Sequence, residues 1–509
     1  MTLLPEGFGI DLDRSLRSFR TGTVLAGGRP GRLITLSPAG AEAVAGLVAG
    51  RPASTSARRL GARLVEAGMA HPRWDGDTAH PRWDGDTAHP RWDVTVVVPT
   101  RDRSESLDAC LASLGGGGRV LVVDDGSEQP DLVASVTARH GASLITRTTN
   151  GGPAAARNDA LAAVDSEFVA FVDSDCSVTG GWLAPLLRLF DDPAVGAVAP
   201  RLRPGPLGLT HASSTHAGSM LARYSDARSA LDMGADPSEV GPDRPVRYVP
   251  TAALVVRRSA VEAGFDPGLR VGEDVDLVWR LVARGWRVRF EPSVTVHHHE
   301  PSSWPELLAR RFRYGTSAAS LARRHPGQLA PVELRPWPTA VLAALLVRRR
   351  RVAALVLLAS TARLASTLGT RGIPVRHSLL WTAGAVGWTG IGIGRTATTL
   401  AAPAVIVAGL RRRRAAAMMA LLIVAPPAVE WWKKRPGLGP LRWVAASVAD
   451  DVAYGAGVWT GCVSTRTFGP LLPKLRPSGK PRTDRGFYTT MDRRIKSNTD
   501  GYPIPSATG

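Results

Sequence analysis

At 509 residues the chain is longer than one hydrophobic core sustains, since single cores stop growing at roughly 250–300 residues. Hydrophobic residues at 44% and charged residues at 21% exclude a wholly disordered or fibrous chain. The net charge of +19, from 63 Lys and Arg against 44 Asp and Glu, favours anionic partners such as nucleotide diphosphates or lipid headgroups; without zinc-finger spacing or an aromatic RNA-binding signature, nucleic acid is not expected.

The chain starts MTLLPEGFGIDLDRSL, with no basic segment leading into an apolar one, so no secretory signal peptide is expected. In TVLAGGRPGRLITLSPAG, apolar residues alternate around Gly27-Gly28 and Arg29-Pro30-Gly31, which predicts a hairpin. Ser37-Pro38 then opens a helix with Ala41, Val44, Leu47 and Val48 on one face, and a second helix carries Leu60, Leu64 and Val65. Residues 1–70 therefore read as a small winged-helix-like module, or as a capping subdomain without a ligand. Next, AHPRWDGDT occupies 70–78, recurs at 79–87 and begins again at 88–93. A nonamer with Pro and Gly is too short to bury a core, so 71–93 reads as a duplicated linker whose tryptophans touch a neighbouring surface at most.

From Val94 the pattern changes. VTVVVPT (94–100), RVLVVDDGS (119–127), ASLITRT (142–148), EFVAFVDSD (167–175) and VGAVAPRL (195–202) are apolar strands, with helices such as 104–114, 152–164 and 180–191 between them. That alternation predicts an α/β domain over 94–335 with a mostly parallel sheet and ligands at the carboxyl ends of its strands. Residues 336–470 are rich in Ala, Leu, Val, Ile and Gly, and 378–410 is long enough to span a bilayer, a span needing about 20 apolar residues. Arg348–Arg351 and Arg411–Arg414 flank apolar sequence, as expected of an apolar helical region beside anionic headgroups. Cys110, Cys176 and Cys462 are odd in number and far apart, which fits a reducing compartment; the expected location is the cytoplasmic face of the cell membrane. The polar tail, 471–509, reads as disordered.

The polar clusters fall at the strand ends. FVDSDC places Asp173, Ser174 and Asp175 on one turn, where two carboxylates can face a divalent cation, Mn²⁺ or Mg²⁺, together with diphosphate oxygens. VLVVDDGS supplies Asp124 and Asp125, which suit a nucleobase or ribose, or an Asx turn closed by Gly126 and Ser127. NGGPAAARND starts a helix at Pro153 whose amides, with Arg157 and Asn158 one turn on, suit a phosphate or ribose; it is neither G-x-G-x-x-G nor a P-loop. Glu273, Asp274 and Asp276 open an amphipathic helix as caps or as a general base, and VTVHHHE presents three His at a strand end.

PTRDR, VVDDGS, NGGPAAARN, FVDSD, GEDVDLVWRL and the late His, in that order over roughly 94–320, resemble the family-2 glycosyltransferases of GT-A fold. The resemblance implies donor contacts at Pro99, Arg101 and Asp125, metal ligation by Asp175 with Asp173 beside it, Asp274 as catalytic base and inversion at the anomeric carbon. It also implies a His after the last strand as metal ligand, best matched by His298, with His297 and His299 as alternatives. Arg157, Asp173 and Ser174 join the expected donor set. A closer resemblance, on the LPEGFGIDLDRSLR start, the VLAGGRPGRLITLSPAG module and GEDVDLVWRLVARGWRVRFEPS, is to the mycofactocin-system glycosyltransferases. It makes the first module similar to PqqD-like domains, which dock a precursor peptide or partner enzyme by strand addition. It implies a UDP-glucose donor and a peptide-derived acceptor elongated with β-1,4-linked glucose. Two alternatives stand beside it: a membrane-associated family-2 transferase acting on a cell-wall polysaccharide or lipid, and a non-catalytic peptide-binding scaffold. No Q-x-x-R-W follows the His; RRFRYGTSAAS stands there, with Arg310, Arg311 and Arg313 as diphosphate partners or surface charge.

Overall fold

The N-terminal residues fold as five strands and two helices: β1 (Phe8–Leu12), β2 (Arg17–Phe19), β3 (Val24–Gly27), β4 (Arg32–Thr35), α1 (Pro38–Val48), α2 (Thr55–Glu66) and β5 (Ala70–Trp74). The computed structural model describes residues 3–28, 31–74, 92–115, 118–205, 219–411 and 413–476, with side chains described outside 402–419. The expected hairpin is present as β3–β4, joined by β2 in a three-stranded antiparallel sheet. Ser37 and Ser54 cap the two helices, each hydroxyl accepting an amide of the first turn. Ile10, Leu47, Leu64 and Met69 close the module's core.

The repeat departs from the sequence reading. Its first copy is not linker from residue 71: Ala70–Trp74 is strand β5, paired antiparallel with β1 from Phe8↔Trp74 to Leu12↔Ala70. The pairing partner lies 58 or more residues away, so no local pattern announces it. Pro72 is tolerated because β5 pairs on one side only. Trp74 meets Phe8 edge-on at 5.1 Å, and the Arg188 guanidinium lies over Trp74 at 4.5 Å and near Trp92 at 6.0 Å. The first and third copies thus meet the next domain at one arginine; the second copy and the tail beyond residue 476 lie outside the described residues.

The central domain contains β6 (Val94–Thr100), α3 (Ser104–Leu114), β7 (Val120–Asp124), α4 (Pro130–Arg139), β8 (Ser143–Thr146), α5 (Pro153–Ala163), β9 (Phe168–Val172), β10 (Cys176–Ser177), α6 (Leu183–Arg188), β11 (Val195–Pro204), α7 (Met220–Arg228), β12 (Ser238–Val240), β13 (Ala253–Arg257), α8 (Glu273–Ala283) and β14 (Arg287–His298). Its sheet runs β10-β14-β11-β13-β9-β6-β7-β8, with β12 also on β14. Strands β8, β7, β6 and β9 are parallel, while β13 lies antiparallel between β9 and β11. Val96 and Val98 enter one apolar core and Val97 the other, which explains why the strand is apolar at successive positions. Because β6, β7 and β9 are parallel, their carboxyl ends share one edge of the sheet.

The C-terminal part consists of α9 (Trp304–Arg324), β15 (Glu333–Leu334), α10 (Pro336–Leu346), α11 (Arg350–Gly369), α12 (Val375–Arg411), α13 (Arg413–Lys434), α14 (Pro440–Thr465) and β16 (Lys474–Leu475). Helix α14 lies hard against α9. A Cβ added at Gly315, Gly457 or Gly461 would overlap the backbone carbonyl of Tyr454, Phe312 or Thr316 respectively, so those positions admit only glycine. Beside this crossing is a buried charge network. The Asp450 carboxylate, 1% exposed, accepts from Tyr224 Oη at 2.9 Å and Arg311 Nη2 at 3.0 Å, and Arg228 Nη2 donates to Asp451 at 2.8 Å. Arg311 is therefore committed to α14 and is not available as a diphosphate partner. At the opposite end, the turn joining α11 to α12 covers the N-terminal sheet: Val24 and Ala26 share a core with Leu368 and Ile373, and Arg371 Nη1 donates to Thr35 Oγ1 at 2.8 Å.

Removing the Asp450 carboxylate strands the buried Arg311 guanidinium, while Arg228 keeps Asp451 and Glu430; stranding a buried charge costs about 3–5 kcal/mol. Asp450→Ala is expected to lower the thermal midpoint substantially and Asp450→Asn less so; an unchanged calorimetric midpoint would show that α14 is held by its glycine packing alone.

Candidate active site

The loops at the shared strand edge are stapled to one another. The Asp102 amide donates to Ser127 Oγ at 2.9 Å, and the Glu128 amide donates back to Asp102 Oδ1 at 2.7 Å. Asp102 holds a left-handed φ of 53°, a conformation unusual for a residue with a side chain. Arg101 stands at the rim, exposed, with Nε reaching the Gly126 carbonyl at 3.4 Å. Pro99 lies one residue inside the end of β6, paired with Val123. Asp124 closes the expected Asx turn, accepting the Ser127 amide at 3.0 Å and its hydroxyl at 2.6 Å. Gly126 has φ of +72°, and a Cβ there would lie 2.9 Å from the Asn150 amide nitrogen, so the two loops meet only through glycine.

Two expected donor groups are engaged with the protein itself. Asp125 accepts the Gly151 amide at 2.8 Å and the Gly152 amide at 2.6 Å, and Arg147 Nε lies 2.9 Å from its carboxylate. The amides at the start of α5 that the sequence offers to a phosphate are thus held by Asp125. Arg157 is 3% exposed: Nη2 donates to Asp173 Oδ1 at 2.7 Å and Nη1 to Glu273 Oε1 at 3.0 Å. Its guanidinium ties the DxD turn to the start of α8 instead of facing the cleft. Asn158 is a structural clamp, exchanging two hydrogen bonds with the Phe265 backbone at 2.7 and 2.8 Å.

Asp175 and His298 are brought together by pairing of β10 with β14, where Cys176 faces His298 and the His299 amide donates to the Asp175 carbonyl at 2.9 Å. His298 Nε2 lies 3.6 Å from Asp175 Oδ1, and the buried His298 Nδ1 makes no hydrogen bond. Adjacent ligands of an octahedral Mg²⁺ ion, at 2.0–2.1 Å from it, stand about 2.9 Å apart. A small closure therefore lets Asp175 and His298 hold one hard cation, with Asp173, 31% exposed, beside them. Ser174 is buried within the turn. Among the described residues no three His, Cys, Asp or Glu side chains are grouped so as to hold a metal ion by themselves. Burial alone would raise the Asp175 carboxyl, but His298, Arg103 and Arg310 together hold it below the ordinary carboxylate value. His297 points instead against Gly205, whose added Cβ would lie 2.5 Å from its Nδ1.

At the start of α8, Gly272 has φ of +86° and acts as N-cap. Glu273 turns inward to Arg157, and Asp276 turns to Arg280 Nε at 2.7 Å and His325 Nε2 at 2.9 Å. Asp274 accepts only its neighbour's amide, from Val275 at 2.7 Å, and among the described residues forms no ion pair, although the Arg157 charge opposes the rise of its carboxyl. Burial, followed by the charge of Glu273, raises its carboxyl to about 7. Of three acidic residues in one turn, two are neutralised by arginine or histidine and one is left to titrate near neutrality.

Sequence reasoning left several groups unassigned. Arg103, the second arginine of PTRDR, pairs with Asp175. Glu300 lies 3.8 Å from His298 Nδ1 and from Arg310 Nη1, and accepts from Ser229 Oγ at 2.5 Å. The available signal was adjacency, since Arg103 and Glu300 sit inside the motifs already singled out.

The family model described as "Glycosyl transferase family 2" matches residues 95–246. The chain is 36% identical over 499 residues to the "Pre-mycofactocin glycosyltransferase" of two Mycobacterium tuberculosis strains, covering 93% of this chain and 99% of that relative. It is 34% identical over 199 residues to an uncharacterized glycosyltransferase of Mycobacterium tuberculosis, covering 38% of this chain and 81% of the relative. Among solved structures, a mannosyltransferase of Pyrobaculum calidifontis in complex with GDP-Man and Mn²⁺ matches at 21% identity with a TM-score of 0.35, over 58% of this chain and 88% of that one.

If Asp175 and His298 hold the cation, Asp175→Ala is expected to abolish the part of UDP binding that depends on Mn²⁺. Calorimetry with and without Mn²⁺ reads this directly, and equal Mn²⁺-dependent affinity in the variant would remove the assignment.

Proposed function

The chain belongs to glycosyl transferase family 2 and is a glycosyltransferase, and on that footing we propose that it moves glucose from UDP-glucose, with inversion, onto the acceptor named for its mycobacterial relatives, pre-mycofactocin, in β-1,4 linkage. The observation that carries the reading is Asp274: a carboxylate without a counter-ion, raised to about 7, one residue from the glutamate that Arg157 ties to the DxD turn.

In a single in-line displacement the acceptor oxygen forms a bond to the anomeric carbon as the bond from that carbon to the diphosphate oxygen breaks. The acceptor proton passes to Asp274, which is best suited to this task when its pKa lies near the working pH. UDP departs with the electron pair. Asp175 and His298, beside Asp173 and Ser174, would hold a divalent cation, which when bound would neutralise charge on the departing diphosphate. Arg101 at the rim, with Pro99, is proposed to meet the uridine, with Asp125 contributing by holding the Gly151–Gly152 turn. Arg310, beside Glu300, is the arginine of its helix that reaches the metal station.

The enzyme is further proposed to work at the cytoplasmic face of the membrane. Among the described residues α11 is the helix long and apolar enough to cross a bilayer, and only 17% of its apolar window is buried. Leu346, Val347, Leu355 and Leu358 are all more than half exposed beside Arg348–Arg351. The three-stranded N-terminal sheet, whose β2 and β4 edges carry no further strand among the described residues, is proposed to dock a precursor peptide or partner enzyme.

Asp274→Asn is expected to bind UDP normally while transfer falls by roughly 10²–10⁴-fold. In the wild type kcat/KM should rise with pH through about 7, because the base acts only when ionised; an acidic limb centred near 4 would contradict the assignment. Mass spectrometry of product from UDP-glucose, other UDP-sugars and GDP-sugars tests the donor. Co-sedimentation with anionic vesicles tests the membrane reading, and titration of labelled precursor peptide into the full chain tests the N-terminal sheet; failure of either to bind would remove that part alone.

A further inference from the structure

The backbone around His298 is pinned from both sides. Strand β10 pairs Cys176 with His298, and the His299 amide donates to the Asp175 carbonyl at 2.9 Å. On the other side the Gly205 amide, just past β11, donates to the His298 carbonyl at 3.2 Å. These bonds fix where the imidazole stands, with Nε2 toward Asp175. They do not fix which nitrogen carries the proton. A neutral imidazole has one N–H. On Nε2 that proton would point at Asp175 and block a cation, whereas on Nδ1 it leaves the Nε2 lone pair facing Asp175. The partner of Nδ1 decides between the two.

His298 is 5% exposed, and its buried Nδ1 has no hydrogen bond among the described residues, a state that buried polar groups rarely keep. The Glu300 carboxylate stands 3.8 Å from it, and an approach of about 0.8 Å gives a normal N–H···O distance. Glu300 is itself held in place. Ser229 Oγ donates to its Oε1 at 2.5 Å, and the same hydroxyl accepts the Leu231 amide at 3.2 Å. Arg310 does not claim the carboxylate, standing 3.8 Å from Glu300 and 4.0 Å from Glu306, too far for a hydrogen bond to either. Ser229 in turn follows Arg228, whose Nη2 donates to Asp451 of α14 at 2.8 Å.

We infer that Glu300 is a positioning residue of the metal station. It accepts the Nδ1 proton of His298, holds the ring in the tautomer whose Nε2 lone pair faces Asp175, and through Ser229 links that choice to the end of α7. A carboxylate behind a metal-ligating histidine orients the ring and raises its basicity. The HHHE run provides the pair by alternation: His298 and Glu300, two residues apart in extended chain, fall on one side, while His299 between them is exposed. The Arg228 bond to Asp451 then gives α14 a bearing on the metal station, because it anchors the segment that holds Glu300.

The inference rests on Asp175 and His298 being the cation site, so the test keeps the two apart. Mn²⁺ binding to the full chain with UDP is followed by the electron paramagnetic resonance of the free ion, for wild type, His298→Ala, Glu300→Ala and Glu300→Gln. The His298 tautomer is read without metal from imidazole ¹⁵N shifts at mildly alkaline pH, where the ring is neutral, and assigned with His298→Ala. Glu300→Ala is expected to weaken Mn²⁺ binding roughly 10–100-fold and to lose the Nδ1–H tautomer. Glu300→Gln should restore most of both, because its amide oxygen still accepts the proton, and its matching shape serves if the Ala variant fails to fold. Unchanged Mn²⁺ affinity in Glu300→Ala beside a loss in His298→Ala overturns the positioning role and leaves the cation site standing. Equal weakening in the Ala and Gln variants also overturns it, since charge beside Arg310 would then be all that Glu300 supplies. Unchanged affinity in His298→Ala removes the cation site itself; the tautomer then decides alone, and an Nε2–H ring in the wild type sinks the inference.

Discussion

One buried guanidinium organises the centre of this molecule. Arg157 spans the gap between Asp173 on the DxD turn and Glu273 at the start of α8, two segments 100 residues apart in the chain. Charges so buried are tolerated only when paired, so the three groups fix one another's positions. Everything the site does follows from that. Asp173 is held beside Asp175, Glu273 is neutralised, and Asp274 projects from the same turn without a counter-ion. Burial next to a fixed carboxylate then raises its proton affinity to the range a general base needs.

The second constraint is the joining of the parts. The N-terminal module is not a free appendage: Arg287 bridges Glu66 of its second helix and Asp192 of the central domain, the latter at 2.6 Å, while its sheet is covered by the α11–α12 turn. At the other end, glycine contacts and the Asp450 carboxylate clamp α14 to α9, the helix that follows His298 and Glu300. The candidate site and the parts on either side of it are consequently joined by one continuous set of packed elements, with apolar surface left exposed on α10 and α11.

Much of this was legible in the residues. The apolar strands with polar clusters at their ends declared the α/β core, and the ordered motifs marked Asp173, Asp175, the acids that open α8 and the three late histidines as candidates. What the motifs do not convey is which polar groups the protein spends on itself. Asp125, Arg157 and Asn158 sit in motifs that suit a nucleotide, yet their hydrogen bonds run to Gly151 and Gly152, to Asp173 and Glu273, and to Phe265. The strand formed by AHPRW was hidden for the same reason, since its partner is at the far end of the module.

The residues by themselves determined the reaction class, because strand ends, helix starts and acidic pairs are local patterns whose chemistry is set by type and spacing. Tertiary structure alone decided which of Glu273, Asp274 and Asp276 stays without an ion pair, which of three histidines faces Asp175, and that α14 packs against α9. Those outcomes depend on pairing register and on contacts between segments distant in the chain, and neither is encoded in any window of neighbouring residues.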